Sequence, residues 1–491
     1  MIPRGVLQEP PPSLLATADA SRYSFPMNSF DVLVIGAGPA GYPAAIRAAQ
    51  LGKRVAVVER EALGGTCLNW GCIPTKALLA AADLFHRAAT SADLGIAAPG
   101  IACDYARLCG RKNEVVGRLT RGVRSLLDAN GVTVLAGTAR FLDAGRVSVR
   151  SAGVPARQVS ASRIIVATGS VSAMPGFLPK HPRVVESRGF LDLPALPRDL
   201  IVLGGGIIGC EFACLCAHLG TRVTIVELLE DIVPMLDRDV RRVLRRRLEA
   251  LGVTVLAGAP MTDIRADDRQ VSGRVGDRTI GAELLLAAVG RQADTSGLQA
   301  ERAGLAVDDK GRIAVDENCR TNVATIFAAG DVVAGSTQLA HAGTAQGIAA
   351  AENACGRRTR CETLVPACIF TTPEIAAVGL TAAQAQAAGR SVKTGLFPFS
   401  ALGKAMAAAE TEGFVRWVAD AETDCLLGAQ VVGAHATELI AEATLAIRAE
   451  ITASELARTI HCHPTFSEAW MEAAHALHGT CTHLPPPTGR R

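Results

Sequence analysis

The sequence predicts an α/β fold built from two Rossmann-like dinucleotide-binding domains followed by a C-terminal α+β domain. Three observations predict it. A strand, a glycine-rich loop, a helix and an acid-ended strand succeed one another from residue 30, and the same device returns at residue 200. From about Leu364 the texture changes to alternating strands and short helices. Between the two glycine loops stands a cysteine pair, Cys67 and Cys72, flanked by glycines and followed by an apolar helical run.

The first device opens on Phe30-Asp31-Val32-Leu33-Val34-Ile35, an apolar run with the length of a buried parallel strand. Gly36-Ala37-Gly38-Pro39-Ala40-Gly41 follows, then an alanine-rich helix to Gln50 and a strand over residues 54–59. This is G-x-G-x-x-G in its meaningful context, strand before and helix after. Gly36, Gly38 and Gly41 let the backbone approach a pyrophosphate at the helix N-terminus. Glu59, 23 positions after Gly36, would accept from a ribose hydroxyl. In the second device residues 200–203 lead to Gly204, Gly206 and Gly209, then a helix, then a strand over residues 222–227. Glu227 again stands 23 positions after the first glycine. Its carboxylate would repel a 2′-phosphate, which favours NAD over NADP.

Residues 163–170 read as a strand crossing between the nucleotide domains, and residues 322–331 as a strand ending in Gly330-Asp331. Asp331 would hold a polyol, cap the helix beyond it, or both. Gly290-Arg291, after the strand at 284–289, would close over the second dinucleotide. Phe370-Thr371-Thr372-Pro373-Glu374 and residues 413–419 read as antiparallel strands, and residues 438–449 and 453–460 as helices.

Composition narrows the function. A net charge of +3 over 491 residues with no long basic tract argues against a nucleic-acid partner. The arginines at 241–247 read as the solvated face of one helix. No run of eighteen apolar residues exists, so no membrane span is expected. The first 27 residues are Pro-rich without a signal-peptide pattern, and Met27 is a candidate start. Fourteen cysteines scattered through a long chain do not form a secreted disulfide scaffold. The twelve besides Cys67 and Cys72 are expected as reduced packing residues, Cys214 and Cys216 among them. No metal site is expected, and a reducing cytoplasmic compartment fits.

Cys67 and Cys72 sit five positions apart at the opening of a helix, whose partial positive charge favours thiolate. A pair that close can ring-close and reopen, which suits electron transfer. The chemistry needs a proton acceptor. His463 is the candidate, with Glu468 to orient it, in His461-Cys462-His463-Pro464-Thr465-Phe466-Ser467-Glu468; His461 competes.

Taken together, Gly65-Thr66-Cys67-Leu68-Asn69-Trp70-Gly71-Cys72-Ile73-Pro74-Thr75-Lys76, the two glycine fingerprints, Ala167-Thr168-Gly169-Ser170, Gly330-Asp331 and the His463–Glu468 segment resemble the dihydrolipoyl dehydrogenase branch of the pyridine nucleotide–disulfide oxidoreductase family. The match runs in register from about Asp31 to Leu477. The resemblance implies an FAD domain (28–173), an NAD domain (174–294), a central domain completing the FAD site (295–363) and an interface domain (364–478). Residues 1–27 would be an extension and 479–491 a disordered tail. It implies a homodimer in which His463 and Glu468 face the other chain's cysteines. Cys67 would be the interchange thiol and Cys72 the thiolate facing the flavin, with Lys76 and Glu211 paired nearby. Glu59, Thr66, Ala139, Thr168, Gly169, Ser170, Asp331, Gln338, Leu339, Ala340 and His341 would contact FAD. Residues 204–211, Glu227 and Gly290 would contact NAD.

The implied reaction is NAD-dependent oxidation of dihydrolipoamide, carried by a lipoylated acyltransferase or lipoyl carrier protein of a multienzyme complex. Departures from the family pattern fall at Trp70, at Ala342, Thr344, Ala345 and Gln346, and at Cys462, read as packing. A glutathione reductase-like enzyme would want basic residues where Glu227 stands. A mercuric reductase-like one would want a vicinal cysteine pair near the C-terminus, where Cys481 is isolated. A non-catalytic flavin-binding assembly subunit would not need the full set Cys67, Cys72, His463 and Glu468.

Overall fold

Short apolar runs, of which Ser29–Ile35 and Asp199–Leu203 each lead into a glycine, are too short for helices and set the strands of two largely parallel sheets. The computed structural model describes residues 28–485, so the expected extension at 1–27 lies outside the described residues. The first unit runs β1 (Ser29–Ile35), α1 (Gly41–Gln50), β2 (Val55–Glu59), α2 (Gly65–Trp70), α3 (Cys72–Ala89), α4 (Tyr105–Ala129) and β3 (Thr133–Ala136). β4 (Thr138–Asp143), β5 (Arg146–Arg150) and β6 (Arg157–Val166) follow. The strand order is β3-β2-β1-β6-β5-β4, parallel from β3 to β6 and antiparallel beyond.

β7 (Ser170–Ser172) leads out of this unit. The second unit holds β8 (Val184–Glu186), α5 (Ser187–Leu191), β9 (Asp199–Leu203), α6 (Ile207–His218), β10 (Arg222–Glu227), α7 (Arg238–Ala250) and β11 (Thr254–Ala257). An antiparallel insert, β12 (Met261–Ala266), β13 (Val271–Val275) and β14 (Arg278–Ala282), precedes β15 (Leu284–Ala287). The parallel order is β11-β10-β9-β15-β8. β16 (Arg291–Ala293) pairs antiparallel with β7, so two short strands link the units.

β17 (Ile326–Ala328) rejoins the first sheet beside β6. Leu298, Leu305 and Ile313 share a core with Phe30, Leu33 and Ile164. The central segment therefore has no core of its own. α8 (Ala340–Ala354) packs on α1.

The C-terminal unit comprises β18 (Ala367–Ile369), β19 (Ile375–Gly379), α9 (Ala382–Ala387), β20 (Val392–Pro398), α10 (Gly403–Ala408), β21 (Phe414–Asp420), β22 (Leu426–Val432), α11 (Ala436–Arg448), α12 (Ala453–Arg458) and α13 (Glu468–Leu477). Its antiparallel sheet runs β18-β19-β22-β21-β20. Trp417 and Trp470, with ring centroids 4.7 Å apart, fill its core, and the Trp417 Nε1–H donates to Trp470 O.

Three expectations are corrected. Residues 370–374 are the turn between β18 and β19, not a strand. Pro373 has no N–H to give a ladder, and the Phe370 N–H is taken by Glu211. Cys319 and Cys361 are joined by a disulfide, with Cα atoms 6.7 Å apart, so not all twelve remaining cysteines are reduced, and Cys462 is exposed rather than packed. Residues 479–485 are ordered against α13, where the Cys481 thiol and His483 both bond the buried Glu472 carboxylate. Residues 486–491 lie outside the described residues.

Candidate active site

A cavity of about 1630 Å³ runs from the first glycine loop, past the cysteine pair, to the second. Gly36, Gly38, Glu59, Thr66, Cys67, Cys72, Lys76, Ala139, Thr168, Gly169, Ser170, Asp331, Gln338, Leu339, Ala340 and His341 line its first half. Gly204, Gly206, Glu211, Glu227 and Gly290 line the second. Gly41 and Gly209 stand behind their loops. His463 and Glu468 are absent from its walls.

The thiols sit where two helices meet. Cys67 is in the short helix α2, and Cys72 opens α3 after the break at Gly71. The Cys67 thiol bonds Cys72 and so holds the Cys72 pKa below the ordinary thiol value, against desolvation and with help from the Lys76 charge. The same bond and burial push Cys67 up. The two sulfurs are thus unequal: Cys72 leans to thiolate and Cys67 keeps its proton. Lys76, one turn along α3, places Nζ 2.7 Å from Glu211 Oε2 of α6. Glu211, whose side chain is 5% exposed, also accepts from the Phe370 N–H at 3.0 Å, and Lys76 lies 4.6 Å from the Phe370 ring centre. The redox helix, the second nucleotide unit and the C-terminal unit therefore meet at one buried carboxylate.

The two strand-ending acids are held alike. Glu59 accepts from the Ala37 and Glu61 N–H groups, both at 2.8 Å. Glu227 accepts from Gly205 at 2.6 Å and Leu229 at 2.8 Å. Each carboxylate is fixed beside its glycine loop, within reach of a ribose. In the first half, the Thr168 hydroxyl is buried without a partner among the described residues and borders the cavity. Ser170 Oγ donates to Asp331 Oδ2 at 2.6 Å, and Arg291 grips Ser170 through both Oγ and O. A polar ligand with ribityl-like hydroxyls fits this set, and FAD is such a ligand. The second half offers Glu227 ringed by exposed Leu228, Leu229, Met235 and Val289, which suits an adenine and its ribose.

The unusual start of α8 is structural. Thr344 Oγ1 donates to Pro39 O, and Gln346 Oε1 accepts from the Gly330 N–H, so both residues tie α8 to the flanks of the first glycine loop. Sequence reasoning missed the cross-unit ion pairs Arg60–Asp294 (2.6 Å) and Arg188–Glu61 (2.5 Å). Their partners lie more than a hundred residues away, where local patterns carry no signal.

The two candidate bases are separated by their partners. His461 is bound at both ring nitrogens, Nε2 to Glu442 at 2.7 Å and Nδ1 to Thr459 O at 2.9 Å. The Glu442 bond raises its pKa. Among the described residues His463 bonds only through Nδ1, to Glu468 Oε1 at 2.8 Å, while Glu468 Oε2 accepts from the Thr465 N–H. Its side chain is 77% exposed. His463 therefore presents Nε2 outward on the C-terminal unit, pre-oriented by a carboxylate. Among the described residues no cluster of three or more His, Cys, Asp or Glu is placed to hold a metal ion, and no helix is long and apolar enough to cross a membrane.

Comparison with known proteins agrees with this arrangement. Residues 30–347 match the family model of the pyridine nucleotide-disulphide oxidoreductases, and residues 365–474 match that family's dimerisation domain. A dihydrolipoyl dehydrogenase of Haloferax volcanii is 44% identical over 462 residues, covering 92% of this chain and 97% of that protein. One of Geobacillus stearothermophilus is 40% identical over 460 residues, with 92% and 97% covered. Among solved structures, LpdA of Mycobacterium tuberculosis superposes with a TM-score of 0.86 at 30% identity over 91% of this chain and 99% of that one. The HOCl-induced flavoprotein disulfide reductase of Escherichia coli gives 0.82 at 30% identity, with 90% and 99% covered. With two nucleotide cradles, a thiol pair between them and a dimerisation unit behind, this chain belongs to the pyridine nucleotide–disulphide oxidoreductases, the FAD- and NAD-linked disulfide enzymes.

Proposed function

We propose that the protein is a dihydrolipoyl dehydrogenase, oxidising protein-bound dihydrolipoamide with NAD. The observation that carries this reading is the pair of unequal thiols inside one cavity between two acid-ended nucleotide cradles. In the oxidised enzyme, a substrate thiolate attacks Cys67 Sγ, forms a mixed disulfide and releases Cys72 as thiolate. The second substrate thiolate displaces Cys67 and leaves as the cyclic disulfide. The substrate loses two electrons and the cysteine pair gains them. His463 takes the substrate's thiol proton on Nε2, and Glu468 stabilises the imidazolium. FAD and NAD, when bound, supply the acceptors for the two electrons that Cys72 gives up. Glu59, Thr168, Ser170 and Asp331 would hold the flavin nucleotide, and Gly204, Gly206 and Glu227 the NAD.

His463 lies outside the cavity of its own chain, so the reading needs a homodimer in which each C-terminal unit serves the other chain's cysteines. The domain limits expected from the sequence belong to the same reading. So does a lipoylated acyltransferase or carrier protein as partner, which would present the dithiol to Cys67. A cytoplasmic setting follows from the need to keep a working dithiol reducible.

Steady-state turnover with dihydrolipoamide or reduced glutathione, and with NAD or NADP, tests the proposal. Dihydrolipoamide with NAD is the expected pair. A preference for NADP or for glutathione sinks it. Cys72→Ser should lose dihydrolipoamide oxidation entirely, and full activity in that variant would refute the assigned thiol chemistry.

A further inference from the structure

The helix that carries Cys67 has an uncommon hold on the fold. α2 is six residues long and none of its residues is fully buried, though Leu68 packs part-buried on the first unit's core. On its inner side, Asn69 Nδ2 donates to Leu63 O and Gly65 O, and Thr120 of α4 donates to Asn69 Oδ1. On its other side the last residue, Trp70, is met by Arg188, whose guanidinium carbon lies 4.1 Å from the ring centre. Arg188 belongs to α5 of the second nucleotide unit. It is set firmly, because Glu186 caps α5 through the Arg188 and Gly189 N–H groups, and Phe190 and Leu191 sit in that unit's core. Its far side is held by Glu61 at 2.5 Å, from the strand end that carries Glu59. Trp70 and Glu61, both of the first unit, thus clasp one arginine of the second, at the lip of the cavity that holds the thiols.

Trp70 stands one residue before Gly71, where the chain leaves helical geometry and Cys72 begins the next helix. A Cβ at Gly71 would lie 2.9 Å from Thr66 O and 3.2 Å from the Cys67 Cα, so this turn runs close beside the Cys67 backbone with no room for a side chain. Whatever fixes Trp70 therefore fixes the offset between the sulfurs.

We propose that Trp70, clasped by Arg188, is a positioning residue that sets the geometry of the cysteine pair and links the redox helix to the NAD unit. The proposal rests on the thiol role assigned above. A guanidinium stacked on an indole is held by the electron-rich face of the ring, and that hold biases a small helix none of whose residues is fully buried. The opening and closing of the Cys67–Cys72 bond then occurs against a fixed outer anchor, and movement of α5 in the nucleotide unit reaches the sulfurs directly.

The test uses the dimeric holoenzyme with Trp70→Val, Arg188→Met, the double variant and Arg188→Lys. Three quantities are read: dihydrolipoamide–NAD turnover, NADH-driven reduction of a one-electron dye that bypasses the thiols, and the pH profile of iodoacetamide alkylation of the reduced pair. The expected result is a loss of about tenfold in lipoyl turnover in each of Trp70→Val and Arg188→Met, an unchanged dye rate and a shifted alkylation profile. The double variant should be no worse than either single one, and Arg188→Lys should stay within about threefold of the parent, since an ammonium also binds an aromatic face. Losses that add independently, dye rates that fall in step with lipoyl turnover, or an unmoved alkylation profile would each overturn the proposal. Failure of the parent enzyme to oxidise dihydrolipoamide would count against the assigned function instead, and the alkylation profile would still decide on the clasp.

Discussion

The two nucleotide units carry the same device and use its helix differently. In each, the third glycine lies flat on the first: a Cβ at Gly41 would fall 1.8 Å from Gly36 O, and one at Gly209 2.0 Å from Gly204 O. In each, the acid binds the N–H twenty-two residues before it and the N–H two after it. Beyond this the helices diverge. α1 buries four of its ten residues, whereas α6 buries nine of twelve. The ninth residue after the third glycine is exposed Gln50 in α1 and buried His218 in α6. The cause is α3. Its Leu78, Leu79 and Ala82 pack on Phe212, Cys214 and Leu215 of α6, with Ile369 and Ile375 of the C-terminal unit in the same core. The second unit's helix is thus both a nucleotide-binding helix and the backing of the redox helix, and Glu211 is its contact with Lys76. The cysteines and alanines of α6 are the small side chains that such close quarters admit.

The comparison breaks most decisively at the third glycines. Gly41→Ala should yield protein without visible flavin absorbance, because the new methyl group displaces the first loop. Gly209→Ala should keep its flavin and lose reduction by NADH. Absorbance spectra of the purified variants, before and after NADH addition, read both outcomes. If Gly209→Ala also loses flavin, the two cradles are not separable and the comparison fails.

What was legible in the sequence follows the same line. The device was readable twice because it is local: strand, loop, helix and acid lie within about thirty residues, and periodicity reports them. The thiol pair and the His463–Glu468 hydrogen bond each join residues five positions apart, so spacing reports them too. The double duty of α6 was not, since an almost wholly apolar helix reads only as buried and does not name its neighbour. Residues 370–374 were misread because β-branched and aromatic residues suggest a strand, whereas Pro373 and the Phe370–Glu211 bond make a turn. The Cys319–Cys361 link and the Trp70–Arg188 contact join residues that no spacing rule connects. The sequence favours His463 over His461 without a view of their partners, and the bond that ties His461 to Glu442 comes from another helix.

His218 sharpens the comparison through pH. It is 4% exposed, both ring nitrogens lack partners among the described residues, and it stacks on His86 of α3 at 4.3 Å. Burial, then the charges of His86 and Arg247, push its pKa down to about 4. The unfolded chain, with an imidazole near 6.5, binds the proton more readily, so stability is intact above about pH 6.5 and falls as pH drops toward 4. The loss is about 2 kcal/mol by pH 5 and levels near 3 kcal/mol. Denaturant midpoints at pH 7 and pH 5 should show that drop in the parent and a smaller one by about this amount in His218→Phe. An equal drop in both would mean that the α3–α6 contact does not carry the penalty. No such loss is expected from α1, whose matching residue is the exposed Gln50.

The smallest effect concerns the acids, and here likeness of geometry should not give likeness of outcome. Glutamine at either position leaves one backbone N–H without its acceptor, a change of about 1–3 kcal/mol where the group is buried. The first loop is braced from outside: Gly65 of α2 lies against Gly38, Gly347 of α8 lies against Ala40, and Gln346 holds the Gly330 N–H. The second loop has no such cover at Gly206, where a Cβ would meet nothing within 4 Å. Glu59→Gln should therefore keep its flavin through gel filtration. Glu227→Gln should raise the KM for NAD about tenfold with kcat unchanged, because the lost bond serves ground state and transition state alike. It should also narrow the preference for NAD over NADP, since the repelling charge is gone. A fall in kcat at constant KM would instead place Glu227 in the hydride step, and the equivalence of the two carboxylates would have to be abandoned.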